Sequence, residues 1–310
     1  MNKTKPGLSA DMSLAMIKKT KEMLDGGEVR QVLAWKEGVL PHLPEPTFFV
    51  NSEEANDLTY SKYCGANLSK FLIGSKTKIL VFLRFCDTYS FNLLLKENRV
   101  KREDAYIIGV GCQGIHDEKD ELIVTCKTCV KTKHVVFDEL LCPNLHPSQT
   151  SDIHTNEITS GVIHTFDEKS KASRFTWVSK IESLTQDDKY AFWQNELKRC
   201  IRCNACRNIC PSCHCTKCVF DSDKYDSKQN VNASSFEEQM FHIIRAYHVA
   251  GRCTDCGQCS RVCPQKIPLY ILNRKFIKDI NEYFGEFEAG EDIAVQNPLV
   301  RFDAQNDPEV

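Results

Sequence analysis

The sequence predicts an α+β chain: an N-terminal α/β domain with a parallel βαβ unit, followed by a smaller helical domain organised by cysteine. Three observations carry this expectation. Residues 77–83 (TKILVFL) and 105–110 (AYIIGV) are continuous apolar runs, suited to strands buried on both faces. Between them, 90–97 place Phe91, Leu93, Leu94 and Leu95 in a helical pattern, and strand–helix–strand at this spacing demands parallel strands. Finally, Cys200, Cys203, Cys206 and Cys210 fall as C-x2-C-x2-C-x3-C before Pro211, and Cys253, Cys256, Cys259 and Cys263 repeat the spacing before Pro264.

In chain order, a polar leader precedes a helix over 13–24 that ends at Gly26-Gly27. Residues 28–36 and 47–50 are strand-like. The segment Phe85-Cys86-Asp87 follows the first buried strand, and Gly111-Cys112-Gln113-Gly114 closes the second. Cys86 and Cys112 thus lie just past the carboxyl ends of parallel strands, where open α/β sheets place their ligands. From 121 to 188 the chain turns polar and loop-rich, so a boundary is expected near 186. Domains are expected over 1–185 and 186–285, with an acidic, irregular tail over 286–310. Helices are expected over 188–198, over 236–250 (Ser235 as N-cap, Gly251 as stop) and over 269–284 after Pro268.

Composition narrows the function classes. The 310 residues are 42% hydrophobic and 26% charged, ordinary for a soluble globular protein. A net charge of −2 gives no basic surplus for nucleic acid or anionic lipid. The first twenty residues lack an apolar signal core and no stretch is long enough to span a membrane, which points to the cytoplasm. Seventeen cysteines in that compartment argue for metal rather than disulfides.

The paired runs have the spacing of two-cluster ferredoxins, which makes the helical domain dicluster ferredoxin-like. In that geometry the fourth cysteine of each run serves the other cluster. Cys200, Cys203, Cys206 and Cys263 are therefore expected to hold one [4Fe-4S] cluster, and Cys253, Cys256, Cys259 and Cys210 the other. Structural zinc also uses C-x2-C pairs, but has no reason to repeat a three-plus-one pattern. Cys213, Cys215 and Cys218 follow in CPSCHCTKC and match no firm signature. An unusual cluster, a zinc knuckle with His214 and packing around the first cluster all stay open.

The N-terminal half adds Cys64, Cys86, Cys112, Cys126, Cys129 and Cys142. Cys126-x2-Cys129 is a chelating hook, and with Cys86 and Cys112 it suggests a third cubane cluster. Cys64 is a rival ligand, and buried free thiols are the plainer alternative. No nucleotide-binding fingerprint is present; the glycines at 109, 111 and 114 fall short of one. His134, His146, His154 and His164 read as solvated loop residues, and Trp35, Trp177 and Trp193 as core rather than a flavin platform.

Two stretches carry a resemblance. FLRFCDTYSFNLLLKENRVKREDAYIIGVGCQGI resembles the "CD" segment and following strand of the beta-subunit family of deazaflavin-coenzyme-reducing hydrogenases and formate dehydrogenases. RCIRCNACRNICPSCHC with GRCTDCGQCSRVCPQKIPL resembles the dicluster ferredoxin subunits of that group. It is also similar to iron–sulfur subunits of sulfhydrogenases and anaerobic sulfite reductases, and to those accompanying heterodisulfide-reductase-linked flavin oxidoreductases. The likeness covers roughly 60–145 and 190–275, and Cys86, Asp87 and Cys112 carry over.

The resemblance implies an electron-transfer subunit of an anaerobic oxidoreductase complex. Its partners would be a flavoprotein, hydrogenase, formate dehydrogenase or heterodisulfide-reductase-like subunit, or ferredoxin. The alternative is a beta subunit with its own FAD that converts hydride to single electrons, although no residue here matches a flavin site. A metal-stabilised structural adaptor is the third reading.

Overall fold

The computed structural model describes residues 8–141, 173–221 and 236–300. The chain forms two compact units, Met1–Asp167 with Gly290–Ile293 and Glu168–Ala289 with Ala294–Val310.

In the first unit a helix, α1 (Leu8–Asp25), precedes a five-stranded mixed sheet. Its strands are β1 (Gln31–Lys36), β2 (Glu45–Phe49), β3 (Ile79–Leu83), β4 (Ala105–Val110) and β5 (Glu139–Leu141), in the order β2-β1-β3-β4-β5. The β1–β3, β3–β4 and β4–β5 pairs are parallel, and β2 lies antiparallel at one edge. Every residue of β3 is buried, which explains its unbroken apolar run. Met12, Met16 and Met23 of α1 join Val32, Leu33, Leu80 and Ile107 in the core. The predicted βαβ unit is β3, α2 (Phe85–Lys96) and β4, with Ile79 opposite Ala105 and Leu83 opposite Gly109.

Three features of this unit depart from the sequence expectation. Helix α2 starts at Phe85, so Cys86 and Asp87 occupy its first turn rather than a loop. The extended Arg84 caps it, and the Arg84 backbone N–H donates to Asp87 Oδ2 at 3.2 Å. Arginine is not a favoured cap, which hid the boundary. Secondly, the segment expected to be loop contains a turn of helix, α3 (Val124–Lys127), and β5, which is too short to announce itself by pattern.

Thirdly, His134 is not solvated. It is half-buried against Phe85 (ring centroids 4.5 Å apart), and its Nε2 lies 3.1 Å from the Leu83 carbonyl and 3.2 Å from that of Val110. Gly109 makes the room: a Cβ there would meet Leu140 Cδ2 at 2.5 Å and the His134 ring at 3.0 Å. His146, His154, His164 and Cys142 lie outside the described residues. Trp35 is fully buried and Trp193 partly so, whereas Trp177, expected in the core, is 45% exposed.

The second unit is helical: α4 (Thr176–Glu182), α5 (Gln186–Leu197), α6 (Ala205–Ile209), α7 (Phe236–His248), α8 (Gln258–Arg261) and α9 (Leu269–Phe284). Thr185 caps α5 by accepting from the Asp188 N–H at 3.2 Å, and α9 has the bounds its periodicity and Pro268 suggest. The expected cap Ser235 lies outside the described residues. Val178 of α4 packs with Tyr270 and Ile271 of α9, so this helix goes with the second unit although it precedes residue 186. Gly290–Ile293, from the expected tail, belongs to the first unit, where Asn92 Nδ2 donates to the Gly290 carbonyl at 3.1 Å.

Burial lowers the His134 pKa to about 4, with its two carbonyl contacts opposing the shift. A histidine depressed in the fold takes up its proton more readily when unfolded, so its contribution is complete above the unfolded pKa near 6.5 and falls as pH drops toward 4. Between pH 7.5 and 5.5 the protein is expected to lose about 1 kcal/mol through this group, measured by chemical denaturation. His134→Gln should remove that component of the slope.

Candidate iron–sulfur centres

The two cysteine runs of the second unit fold as the same loop. Arg202 and Asn204 take left-handed backbone at φ 52° and 59°; their equivalents Asp255 and Gly257 do so at 54° and 70°. Side chains other than glycine adopt this conformation at some cost, and its recurrence at matching positions marks a loop curled around something. The curl turns backbone N–H groups inward, as where Arg202 N–H donates to Cys200 Sγ at 3.4 Å. Each loop then enters a short helix, α6 or α8, and these two helices pack together.

Electrostatic neighbourhoods give the partnering. Burial pushes the Cys206 thiol up, Arg245 opposes this, and Cys200, Cys263 and Cys203 add to the rise. Burial likewise raises Cys253, helped by Asp255, Cys210, Cys256 and Cys259. Cys259 is pushed up to about 11 by burial, against the pull of Arg245, and accepts from Asn273 Nδ2 at 3.5 Å. A hollow is lined by Cys210, Cys253, Cys256 and Cys259 together with Pro211, Asp255 and Tyr270. Cys210 of the first run thus lies among Cys253, Cys256 and Cys259, and Cys263 of the second run neighbours Cys206.

The donor set fits cubane clusters. Among the described residues, no three Cys, His, Asp or Glu side chains converge on a point as a single metal ion requires. Cubane thiolates each bind a different iron and need no such point. Buried polar groups also await a partner: Arg245 Nε and both ring nitrogens of His242 have none among the described residues. Burial, with Arg245 and Arg202, lowers the His242 pKa to about 3, leaving a neutral ring with one N–H to donate. Cluster and thiolate sulfur accept such bonds.

Asp255 anchors the second loop. Its carboxylate takes Arg174 Nε at 3.0 Å and Arg274 Nε at 2.9 Å, and Arg174 also pairs with Glu288. The extra cysteines do not form a group of their own. Cys213 hydrogen-bonds Cys210 and holds its thiol well below the usual range, Cys218 engages Arg207, and Cys215 is exposed. His214 Nε2 lies 2.9 Å from Arg252 Nη2.

In the first unit, Cys86 in α2, Cys112 after β4, and Cys126 and Cys129 at α3 come together. Burial raises Cys86, with Asp87, Cys112 and Cys129 adding and Arg84 opposing. Burial also raises Cys126, reinforced by Cys112 and Cys129. Gly114, Ile115 and Lys131 donate backbone N–H groups at 3.4 Å to Cys112, Cys126 and Cys129 sulfur respectively. Cys64 engages its own loop instead: its sulfur accepts from Ser61 N–H at 3.2 Å and lies 3.8 Å from the Thr59 carbonyl.

Arg84 is the residue sequence reasoning missed here. Its Nε donates to Asp87 Oδ2 at 2.9 Å, its Nη2 to the Ala66 carbonyl at 2.8 Å, and its Nη1 to the Cys64 carbonyl. Both members of this pair are buried. The only signal was an arginine three residues before an aspartate at a strand end.

Residues 196–267 match the 4Fe-4S dicluster domain family. F420-dependent formate dehydrogenase subunit beta of Methanocaldococcus jannaschii is 26% identical over 336 residues, covering 83% of this chain and 87% of that one. The chain is a relative of these beta subunits. F420-dependent formate dehydrogenase 1 subunit beta of Methanococcus maripaludis is 25% identical over 309 residues, 74% of this chain and 78% of that one. A solved chain of the F420-reducing [NiFe] hydrogenase complex of Methanosarcina barkeri is 16% identical over 36% of this chain and 39% of that one, at a TM-score of 0.28. The resemblance to beta subunits of deazaflavin-coenzyme-dependent enzymes read from the sequence is borne out, and with the dicluster domain it supports an iron–sulfur chain of the electron-transfer kind. No described helix is long and apolar enough to cross a membrane.

Removing one member of a buried ion pair strands the other. Asp87→Asn should therefore destabilise the protein by about 3–5 kcal/mol in chemical denaturation. A loss under about 1 kcal/mol, as for an exposed pair, would contradict this account.

Proposed function

We propose that the chain is the iron–sulfur subunit of a multi-subunit oxidoreductase, relaying single electrons between a partner flavin or metal enzyme and another subunit or ferredoxin. The observation that carries this reading is the pair of matching loops, with Cys210 among Cys253, Cys256 and Cys259 and Cys263 beside Cys206, which supports crossed three-plus-one sets. Cys200, Cys203, Cys206 and Cys263 hold one [4Fe-4S] cluster, and Cys253, Cys256, Cys259 and Cys210 the second. Cys86, Cys112, Cys126 and Cys129 hold a third in the N-terminal domain. The clusters, when bound, supply one-electron chemistry; the protein's own groups bind them, limit water and set the surrounding charge.

Similarity to the beta subunits supports a partner of the formate dehydrogenase or hydrogenase kind, with F420 as the two-electron carrier of the complex. The N-terminal thiols stand at the carboxyl end of the sheet, where α/β domains receive ligands, which supports a role for that domain in electron entry.

Anaerobic purification with iron and sulfide analysis tests the reading. About twelve irons per chain are expected, and Cys126→Ser should lower the count by about four. Unchanged iron in that variant removes the third cluster. Acid extraction separates relay from hydride chemistry, because stoichiometric FAD released from the isolated chain would favour the flavin-bearing alternative. Bound zinc in place of iron would leave only the structural adaptor.

A further inference from the structure

Every strongly buried arginine of the described structure except one is paired with a carboxylate. Arg84 has Asp87, and Arg174 and Arg274 share Asp255. Arg245, on α7 and only 4% exposed, has no carboxylate within ion-pair distance among the described residues. Its Nη2 donates to the Cys206 backbone carbonyl at 3.1 Å, while its Nε is buried without an acceptor among the described residues. The negative groups that bear on it most are Cys210, Cys259, Cys213 and Cys206. Cys206 belongs to one proposed ligand set, and Cys210 and Cys259 to the other.

A guanidinium stays charged at any physiological pH, and burying it without a counter-charge is strongly unfavourable. We propose that Arg245 is the shared counter-cation of the two clusters, raising the reduction potential of both. The inference rests on the two-cluster reading above. Each cluster site carries four thiolates, and each one-electron reduction adds one negative charge and no proton. A fixed cation in a poorly screened interior favours the more negative state, so it makes reduction easier at both sites. The unpartnered Nε–H is a ready donor to cluster or thiolate sulfur. Neighbouring His242 is neutral and supplies no competing charge.

The test uses the full-length chain purified anaerobically, with iron analysis and electron paramagnetic resonance followed through a redox titration. Arg245→Gln keeps a polar side chain without the charge, and Arg245→Lys keeps the charge without the guanidinium. The glutamine variant should shift both midpoints negative by at least tenfold in the reduction equilibrium, about 59 mV for a one-electron couple. The lysine variant should recover most of that shift.

Wild-type potentials in Arg245→Gln would overturn the inference, and a shift at one cluster alone would overturn the sharing. If Arg245→Gln fails to assemble clusters, Arg245→Lys decides. Assembly with near-wild-type potentials supports the charge, whereas failure of both variants overturns it in favour of guanidinium geometry. Wild-type protein that lacks the two clusters would instead fail the underlying reading, an outcome visible before any variant is made.

Discussion

A thiol binds iron only as thiolate, yet burial disfavours the thiolate at several cysteines of each unit, and the two demands conflict. Burial pushes Cys86, Cys112, Cys206, Cys253 and Cys259 toward the neutral form, with Cys259 near 11. Metal binding and positive charge reverse the preference. In the second unit the conflict reaches folding itself, because Cys200, Cys206 and Cys259 share the core with Leu197, Phe241, Ile267 and Leu269. Among the described residues, cysteine supplies three of the seven buried side chains of that cluster. Clusters bound at those thiols would couple their assembly to the packing of these side chains.

Arginine is the recurring answer to the charge problem. Arg84 lies against the N-terminal thiols and is tied to Asp87 and to the carbonyls of residues 64–66. The pair caps the helix that carries Cys86; at Cys112 the Arg84 charge outweighs that of Asp87 and opposes burial, whereas at Cys86 Asp87 outweighs Arg84. In the second unit Arg174 and Arg274 hold Asp255 and, through it, the left-handed turn between Cys253 and Cys256. These pairs fix loop geometry at sites where a slack loop would misplace sulfur.

What the sequence revealed follows from the range of the interactions involved. The strand over 105–110 and the helix over 269–284 were legible because apolar periodicity and Pro268 are local signals. The cysteine runs were legible because cluster chelation dictates spacing within a few residues. Contacts between distant segments left no such trace. Arg245 reaches Cys206 across 39 positions, and His134 reaches Leu83 across 51. The start of α2 was hidden by an arginine cap, and β5 by a length of three residues.

The repeat in the second unit is one of backbone, not of charge. At the position between the first two cysteines the first loop carries Arg202 and the second Asp255, both left-handed. Arg202 lies over the Phe241 ring, 4.1 Å from its centroid, while Asp255 is clamped by two arginines that also engage Glu288 and the backbone. Identical cysteine spacing favours the same cluster chemistry at both proposed sites. Any difference in potential between them must therefore come from these unlike surroundings, since local charge and sulfur hydrogen bonds are the protein's means of tuning. A relay needs neighbouring centres alike enough to exchange electrons and different enough to give them an order. Repeating the loop while varying the charged residue within it would meet both demands in the proposed relay.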